Sequence, residues 1–172
     1  MTSNEASTSM KERQVAHQYR ANVKWTRGGA MFTDQRYSRG HTWSFDGGII
    51  IPASSSPLSV KLPYSVAEAV DPEEAFVAAL ASCHMLTFLY VAAKQGFVVE
   101  DYADEAVGEM TKNERGQLWV SKVVLSPAIT FAGAKRPTSE QLDELHHLAH
   151  EECYIANSVK SEVVVQGAMS FA

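Results

Sequence analysis

The amino-acid sequence predicts a single α+β domain, and three observations carry that prediction. Segments with strand-like alternation come first, and a long apolar helix follows them. Strands then return, interrupted by a second helix that is apolar on one face. Strands grouped apart from helices are typical of α+β proteins. A chain of 172 residues is long enough for one domain with a sizeable core.

The composition is that of an ordinary globular protein, with 45% hydrophobic and 20% charged residues. A net charge of −5 argues against nucleic acid or an anionic membrane as the main partner. Residues 1–14 are polar, so we expect a flexible tail ahead of a single domain at 15–172. The tail has no apolar core and does not resemble a secretory signal, so we expect a cytoplasmic protein.

The first part of the domain is predicted to form strands and turns. Residues 15–27 alternate as in a strand, and the glycines at 28–29 make a turn. The sequence Asp-Gly-Gly at 46–48 is a hairpin signal between two apolar runs. The prolines that follow, with serines between them, indicate a loop and an edge strand.

A long helix is predicted between Asp71 and Gly96. Asp71 is a suitable N-cap, Pro72 takes the first helical position, and two glutamates fill the first turn. The apolar run at 75–93 has the composition of a membrane span. Polar side chains interrupt its centre and charged residues flank it, so we predict instead the buried central helix of a soluble fold.

The second half of the chain is predicted to return to strands. Residues 98–131 have strand character on both sides of a turn at 113–116. Thr138 or Ser139 then opens a second helix that runs to about residue 152. A last strand is predicted over 159–171.

The two cysteines, Cys83 and Cys153, are the first candidates for chemistry. Structural disulfides are rare in the cytosol, so these thiols are expected to be free, catalytic or metal-binding. Cys83 falls in the middle of the apolar helix, where a small buried core residue is a common alternative. Cys153 follows the second helix, so only the fold can bring the two together.

A metal site is an alternative on the second helix. Among His146, His147, His150 and Cys153 the spacings of three and four residues are those of metal ligands on one helix. His146 and His150 share a face, and Cys153 lies one turn past His150. Such a site needs a further ligand from elsewhere, and the sequence contains no second His/Cys cluster.

Three other polar residues have simple structural explanations beside a functional one. Glu73 suits the positive N-terminus of a helix, and Arg39 can be an ordinary loop cation. His84 follows Cys83 directly and could activate its thiol. Adjacent helical side chains point about 100° apart, however, which makes direct contact doubtful.

Residues 71–84, DPEEAFVAALASCH, resemble the central-helix motif of the OsmC/Ohr family of osmotically inducible and organic hydroperoxide resistance proteins. Residues 153–160, CYIANSVK, resemble the block around the second cysteine of that family. Residues 37–43, YSRGHTW, resemble a signature of one OsmC-like branch. The resemblance extends over roughly residues 15 to 170.

The resemblance implies two curved antiparallel sheets around a long buried central helix, in an intertwined homodimer. It also implies a peroxidase with Cys83 as the peroxidatic and Cys153 as the resolving cysteine, and with Arg39 and Glu73 tuning the first thiol. Arg36 is the alternative for the arginine. Family members often have proline after the second cysteine, where this chain has a tyrosine.

The chemistry of the side chains supports these implied roles. A thiol buried among apolar groups has a raised pKa and is inert, so Cys83 needs a cation nearby. The guanidinium of Arg39 always carries its charge, and a buried arginine needs a carboxylate such as Glu73. Glu73 and Cys83 lie about 15 Å apart along one helix and on different faces. We therefore hypothesise that Arg39 and Glu73 of one chain serve Cys83 of the other, or that a loop bridges them.

The function that the resemblance implies is a thiol peroxidase of oxidative stress defence, without a cofactor or metal. It is expected to reduce organic hydroperoxides, with hydrogen peroxide as a further candidate substrate. The apolar side chains of Phe76, Met85, Leu86 and Phe88 are expected to favour organic hydroperoxides over hydrogen peroxide. An external dithiol, lipoyl or similar, is the expected reductant. The alternatives are a redox-sensing or stress-linked binding module with little turnover, and the His/Cys metal protein.

Overall fold

A computed structural model describes residues 16–172, so the predicted tail at 1–14 lies outside the described residues. The predicted α+β class is confirmed. The elements, in chain order, are β1 (Ala21–Lys24), β2 (His41–Phe45), β3 (Ile50–Ala53), α1 (Pro72–Lys94), β4 (Val98–Asp104), β5 (Val107–Lys112), β6 (Leu118–Leu125), β7 (Pro127–Ala132), α2 (Ser139–Glu152), a 3₁₀ turn (Ala156–Ser158), β8 (Glu162–Val165) and β9 (Ala168–Phe171).

The strands form three three-stranded sheets, in the orders β1-β2-β3, β4-β7-β9 and β5-β6-β8. The pairings β6–β8 and β7–β9 are parallel, and the others are antiparallel. The structure thus has three sheets, two of them mixed, which differs from the two antiparallel sheets expected. The physical reason is α2. A parallel pair needs a long crossover connection, and α2 lies in the connection from β6 to β8 and in the one from β7 to β9.

Three segments that the sequence predicts as continuous strands are broken at corners. Short interruptions separate β4 from β5, β6 from β7 and β8 from β9, and the two halves of each segment belong to different sheets. At one corner the backbone N–H of Ser126 donates a hydrogen bond to Oδ1 of Asp104, 2.7 Å away. The carboxylate thus pairs the backbone N–H of Ser126 at the break between β6 and β7.

Helix α1 begins and ends where the sequence predicts. Asp71 is the N-cap, Pro72 is the first residue, and Gln95 is the C-cap. Gly96 follows with φ of 76°, the left-handed conformation that glycine adopts without strain. The helix packs against α2 and against β4, β5 and β6.

One side of α1 is buried in the chain and the other is open. Leu80, His84 and Phe88 are buried, whereas Leu86 is 62% exposed and Tyr90 is 55% exposed. Among residues 16–172, α1 is the one helix long and apolar enough to cross a membrane, a weak indication by itself, and 28% of its most apolar stretch is buried. The predicted buried central helix is thus only partly covered by its own chain.

Two hydrophobic clusters make up the core, and α1 contributes to both. The first contains Phe88 and Phe131 together with Leu145 of α2. The second contains Leu80, Val123, Leu125 and Cys153, with Cys83 packed against it. The second cluster therefore contains both cysteines of the chain.

Candidate functional site

Cys83 and Cys153 meet in the second hydrophobic cluster, although 70 residues separate them in sequence. Cys83 lies on α1 and is half-buried, whereas Cys153 is the C-cap of α2 and is fully buried. Both thiols are free. The packing of α1 against α2 thus brings the partly exposed Cys83 into contact with the buried Cys153.

The surroundings of Cys153 keep its thiol protonated. Burial raises the pKa of Cys153 to about 11, and the adjacent Cys83 adds to the increase. The backbone N–H of Ala156 donates to Cys153 Sγ at 3.4 Å and acts in the opposite direction. At neutral pH Cys153 is therefore a neutral thiol, poorly nucleophilic by itself and shielded from solvent.

Arg39 is held rigidly in the loop ahead of β2. Its Nη1 donates to the backbone carbonyl oxygens of Gln35 and Tyr37, at 2.6 Å each. Its Cζ lies 3.9 Å from the centroid of the Tyr37 ring, so the guanidinium also stacks on that ring. Arg36, the alternative arginine, is exposed.

Arg39 and Glu73 line the same cavity, which has a volume of about 450 Å³. Three aromatic rings form much of its wall, those of Trp25, Phe32 and Tyr37, with Phe32 stacked on Tyr37 at 4.7 Å between centroids. Sequence reasoning missed this aromatic wall, because its members are irregularly spaced in a segment without regular structure and carry no periodic signal.

The structure does not join the two halves of the predicted site within one chain. Cys83 does not line the cavity of Arg39 and Glu73. Within residues 16–172, the only ion pair closer than 4.0 Å joins His147 to Glu151. Arg39 therefore forms no ion pair with Glu73 in the single chain. This separation agrees with the helix geometry that places residue 73 about 15 Å from residue 83.

The residues of the alternative metal site point in different directions. His147 is exposed and lies 3.4 Å from Glu151. His146 faces α1, and Cys153 faces Cys83. Residues 16–172 contain no group of three or more histidine, cysteine or acidic side chains that could hold a metal ion. The described part of the chain therefore gives no support to the metal alternative.

His84 and His146 form a buried pair that the sequence did not reveal. Nε2 of His84 lies 3.1 Å from Nδ1 of His146, and the ring centroids are 5.4 Å apart with planes inclined by 14°. Burial is the largest cause that lowers the pKa of each ring to about 4, so both are neutral at pH 7. His84 is thus directed toward His146 on α2.

One residue expected near the substrate is in the wrong place for that role. Phe88 is fully buried and packs against Tyr102, Phe131 and His146, so it cannot line an accessible pocket. Phe76 does line a small apolar cavity of about 280 Å³, and it also packs against the cluster of the two cysteines.

Comparison with known proteins gives a consistent assignment. The OsmC-like protein family matches residues 65–167, more than half of the chain. A solved OsmC-like protein of unknown function from Vibrio cholerae is 55% identical, with a TM-score of 0.86 over 89% of this chain and 100% of that one. No match was found among proteins of curated function.

More distant solved structures share the fold. An organic hydroperoxide resistance protein from Elizabethkingia anophelis is 16% identical, with a TM-score of 0.63 over 92% of this chain and 99% of that one. The organic hydroperoxide resistance protein OhrB of Bacillus subtilis is 18% identical, with a TM-score of 0.57 over 90% of this chain and 98% of that one. With the family match and the 55% identical neighbour, the chain belongs to the OsmC-like family.

Proposed function

We propose that this protein is a thiol peroxidase that reduces organic hydroperoxides, with Cys83 as the attacking thiol and Cys153 as the resolving thiol. The observation that carries the proposal is the contact between the two cysteines in one apolar cluster. Their unequal exposure supports the division of roles, because a peroxide reaches the half-buried Cys83 more easily than the buried Cys153.

The proposed reaction has three steps. The Cys83 thiolate attacks the outer oxygen of ROOH, the O–O bond breaks, and ROH leaves once the alkoxide has taken a proton. The sulfenic acid of Cys83 then condenses with the Cys153 thiol, forming the S–S bond and releasing water. An external dithiol, lipoyl or similar, reduces this disulfide by exchange and becomes oxidised itself. No cofactor is needed in any step.

The thiolate of Cys83 needs a cation, and we propose that a second copy of the chain supplies it. Arg39 and Glu73 share a cavity that does not include Cys83 of the same chain. The uncovered side of α1, with Leu86 and Tyr90, offers an apolar surface for that second copy. A homodimer built in this way would bring Arg39 close to the partner's Cys83.

The expected substrates are hydroperoxides with an apolar group. The cavity beside Phe76 is almost entirely apolar, and the cavity that contains Arg39 has a wall of three aromatic rings. These apolar and aromatic walls favour a hydroperoxide with an apolar group over small, strongly hydrated hydrogen peroxide, while Arg39 and Glu73 supply the polar part of the first cavity. We therefore expect an alkyl or aryl hydroperoxide to react faster than hydrogen peroxide, and we expect the protein to work in the cytoplasm.

A thiol titration tests the proposal directly. One equivalent of cumene hydroperoxide should remove both thiols of the wild-type chain without linking two chains. Cys83→Ser should leave Cys153 unreacted, and Cys153→Ser should accumulate over-oxidised Cys83. Steady-state turnover with dihydrolipoamide separates an enzyme from a redox sensor, which would lose its thiols once and turn over slowly. Unchanged thiols in the wild type would refute the proposal.

A further inference from the structure

The pair of buried histidines lies beside the cysteine pair and has no part in the reaction proposed above. His84 follows Cys83 directly on α1. His146 precedes Cys153 by seven residues on α2, about two helical turns, so both project from nearly the same face. The same two helices therefore make two contacts, Cys83 with Cys153 and His84 with His146, about 10 Å apart along α2.

The histidine contact is a single hydrogen bond between two neutral rings. One ring donates and the other accepts across the 3.1 Å between Nε2 of His84 and Nδ1 of His146. The outer nitrogens, Nδ1 of His84 and Nε2 of His146, have no hydrogen-bond partner among residues 16–172. The shared bond is thus the only one that either ring makes there, and its loss would leave a buried polar group unpaired.

The connection between β8 and β9 packs against the His146 ring at Gly167. A Cβ atom built on Gly167 would collide with Nε2 of His146. The His146 ring is therefore confined between the His84 ring and the backbone at Gly167. A ring confined in this way has little freedom to move, so it is one of the contacts that set how α2 lies against α1.

We propose that the His84–His146 hydrogen bond is a positioning contact that holds Cys153 against Cys83. The inference rests on the proposed function for its biological purpose. Once Cys83 is a sulfenic acid, condensation with Cys153 gives a disulfide and water. The competing reaction with a second hydroperoxide gives a sulfinic acid and an alcohol. Holding the two sulfurs together favours the first reaction, because it raises the effective concentration of Cys153 at Cys83.

A matched pair of substitutions at one position tests the contact. His146→Asn places an amide where Nδ1 stands and can keep the bond to His84. His146→Gln places its amide near the position of Nε2 and leaves His84 unpaired. Leu142→Ala is the control for general destabilisation, because Leu142 is a buried residue of α2 in the other hydrophobic cluster.

The first measurement is the equilibrium between the two thiols and their disulfide in glutathione buffers, which requires no peroxide. His146→Gln should lower the effective concentration of Cys153 at least tenfold, or about 30 mV in potential. The effective concentration in His146→Asn should stay within about threefold of wild type. Leu142→Ala should lower the free energy of unfolding without lowering the effective concentration. The inference would be overturned by equal effective concentrations in His146→Gln and His146→Asn, or by a tenfold decrease in Leu142→Ala.

The second measurement is the fraction of sulfinic acid at Cys83, by mass spectrometry, as cumene hydroperoxide is increased. His146→Gln should over-oxidise at a lower peroxide concentration than His146→Asn. Gly167→Ala, which displaces the same ring from the other side, should behave like His146→Gln. If the wild type does not react with peroxide, the proposed function fails, while the glutathione equilibrium still decides whether the histidines position the cysteines.

Discussion

Asp71 and Glu74 cap each other at the start of α1. Oδ1 of Asp71 accepts the backbone N–H of Glu74 at 2.8 Å, and Oε2 of Glu74 accepts the backbone N–H of Asp71 at 3.1 Å. Thr138 and Gln141 make the same reciprocal pair at the start of α2. Glu73 lies between the two members of the first pair, so that cap also fixes the turn that carries Glu73 toward its cavity.

Replacing Asp71 with alanine should therefore affect both stability and activity. The loss of an N-cap oxygen is expected to lower the free energy of unfolding by about 1 kcal/mol, measurable by urea denaturation. Thr138→Ala should cost about the same, since it removes an equivalent cap. Only Asp71→Ala should also lower kcat/KM for cumene hydroperoxide, because only that cap supports Glu73. An equal fall in kcat/KM for both variants would show that general destabilisation is responsible.

A site built from two chains can be tested by mixing inactive variants. Cys83→Ser lacks the attacking thiol, and Arg39→Ala lacks the cation. When the two are unfolded together and refolded, half of the dimers combine one chain of each kind, and each of these contains one complete site out of two. The mixture should therefore recover about a quarter of the wild-type activity.

The control for the mixing experiment is Arg36→Ala, which should be active by itself because Arg36 is exposed and does not line the cavity of Glu73. A mixture of Cys83→Ser and Arg39→Ala with no activity would contradict the two-chain site. It would favour a site assembled within one chain.

Local signals in the sequence predict most of the helices, but they do not predict the sheet topology. The caps of α1 and the start of α2 at Thr138 follow from side chains within one turn of each helix end. The corner at Ser126 depends instead on Asp104, which is 22 residues away in sequence and in another strand. No local pattern contains that contact, so the sequence predicts unbroken strands.

Part of the candidate site follows from the family resemblance, and the rest is visible only in the folded structure. Family resemblance pairs Cys83 with Cys153, and their packing in one cluster depends on how α1 crosses α2. The contact of His84 with His146 depends on that same crossing, and neither residue carries a signal of it in its own segment. The confinement of His146 by Gly167 adds a third element, the connection between β8 and β9.

The buried histidines predict that the protein loses stability in mild acid. Each ring has a pKa of about 4 in the folded chain and an ordinary value of 6.5 when unfolded. As the pH falls from 6.5 to 4, the unfolded chain therefore binds protons that the folded chain does not. The free energy of unfolding falls over that window, by on the order of 3 kcal/mol for each ring, and is fully recovered above the unfolded pKa.

The charged groups around the pair do not reverse this prediction. His150 further lowers the pKa of His84, and Asp143 opposes the decrease at His146 without overcoming burial. Urea denaturation across the window measures the effect. His146→Asn removes one titrating ring and should therefore reduce the dependence on pH by about half. His147→Asn is the matched control, because His147 is exposed, and it should follow the wild-type curve. If the free energy of unfolding of His146→Asn depended on pH as strongly as that of wild type, groups other than the histidine pair would be responsible for the loss of stability in acid.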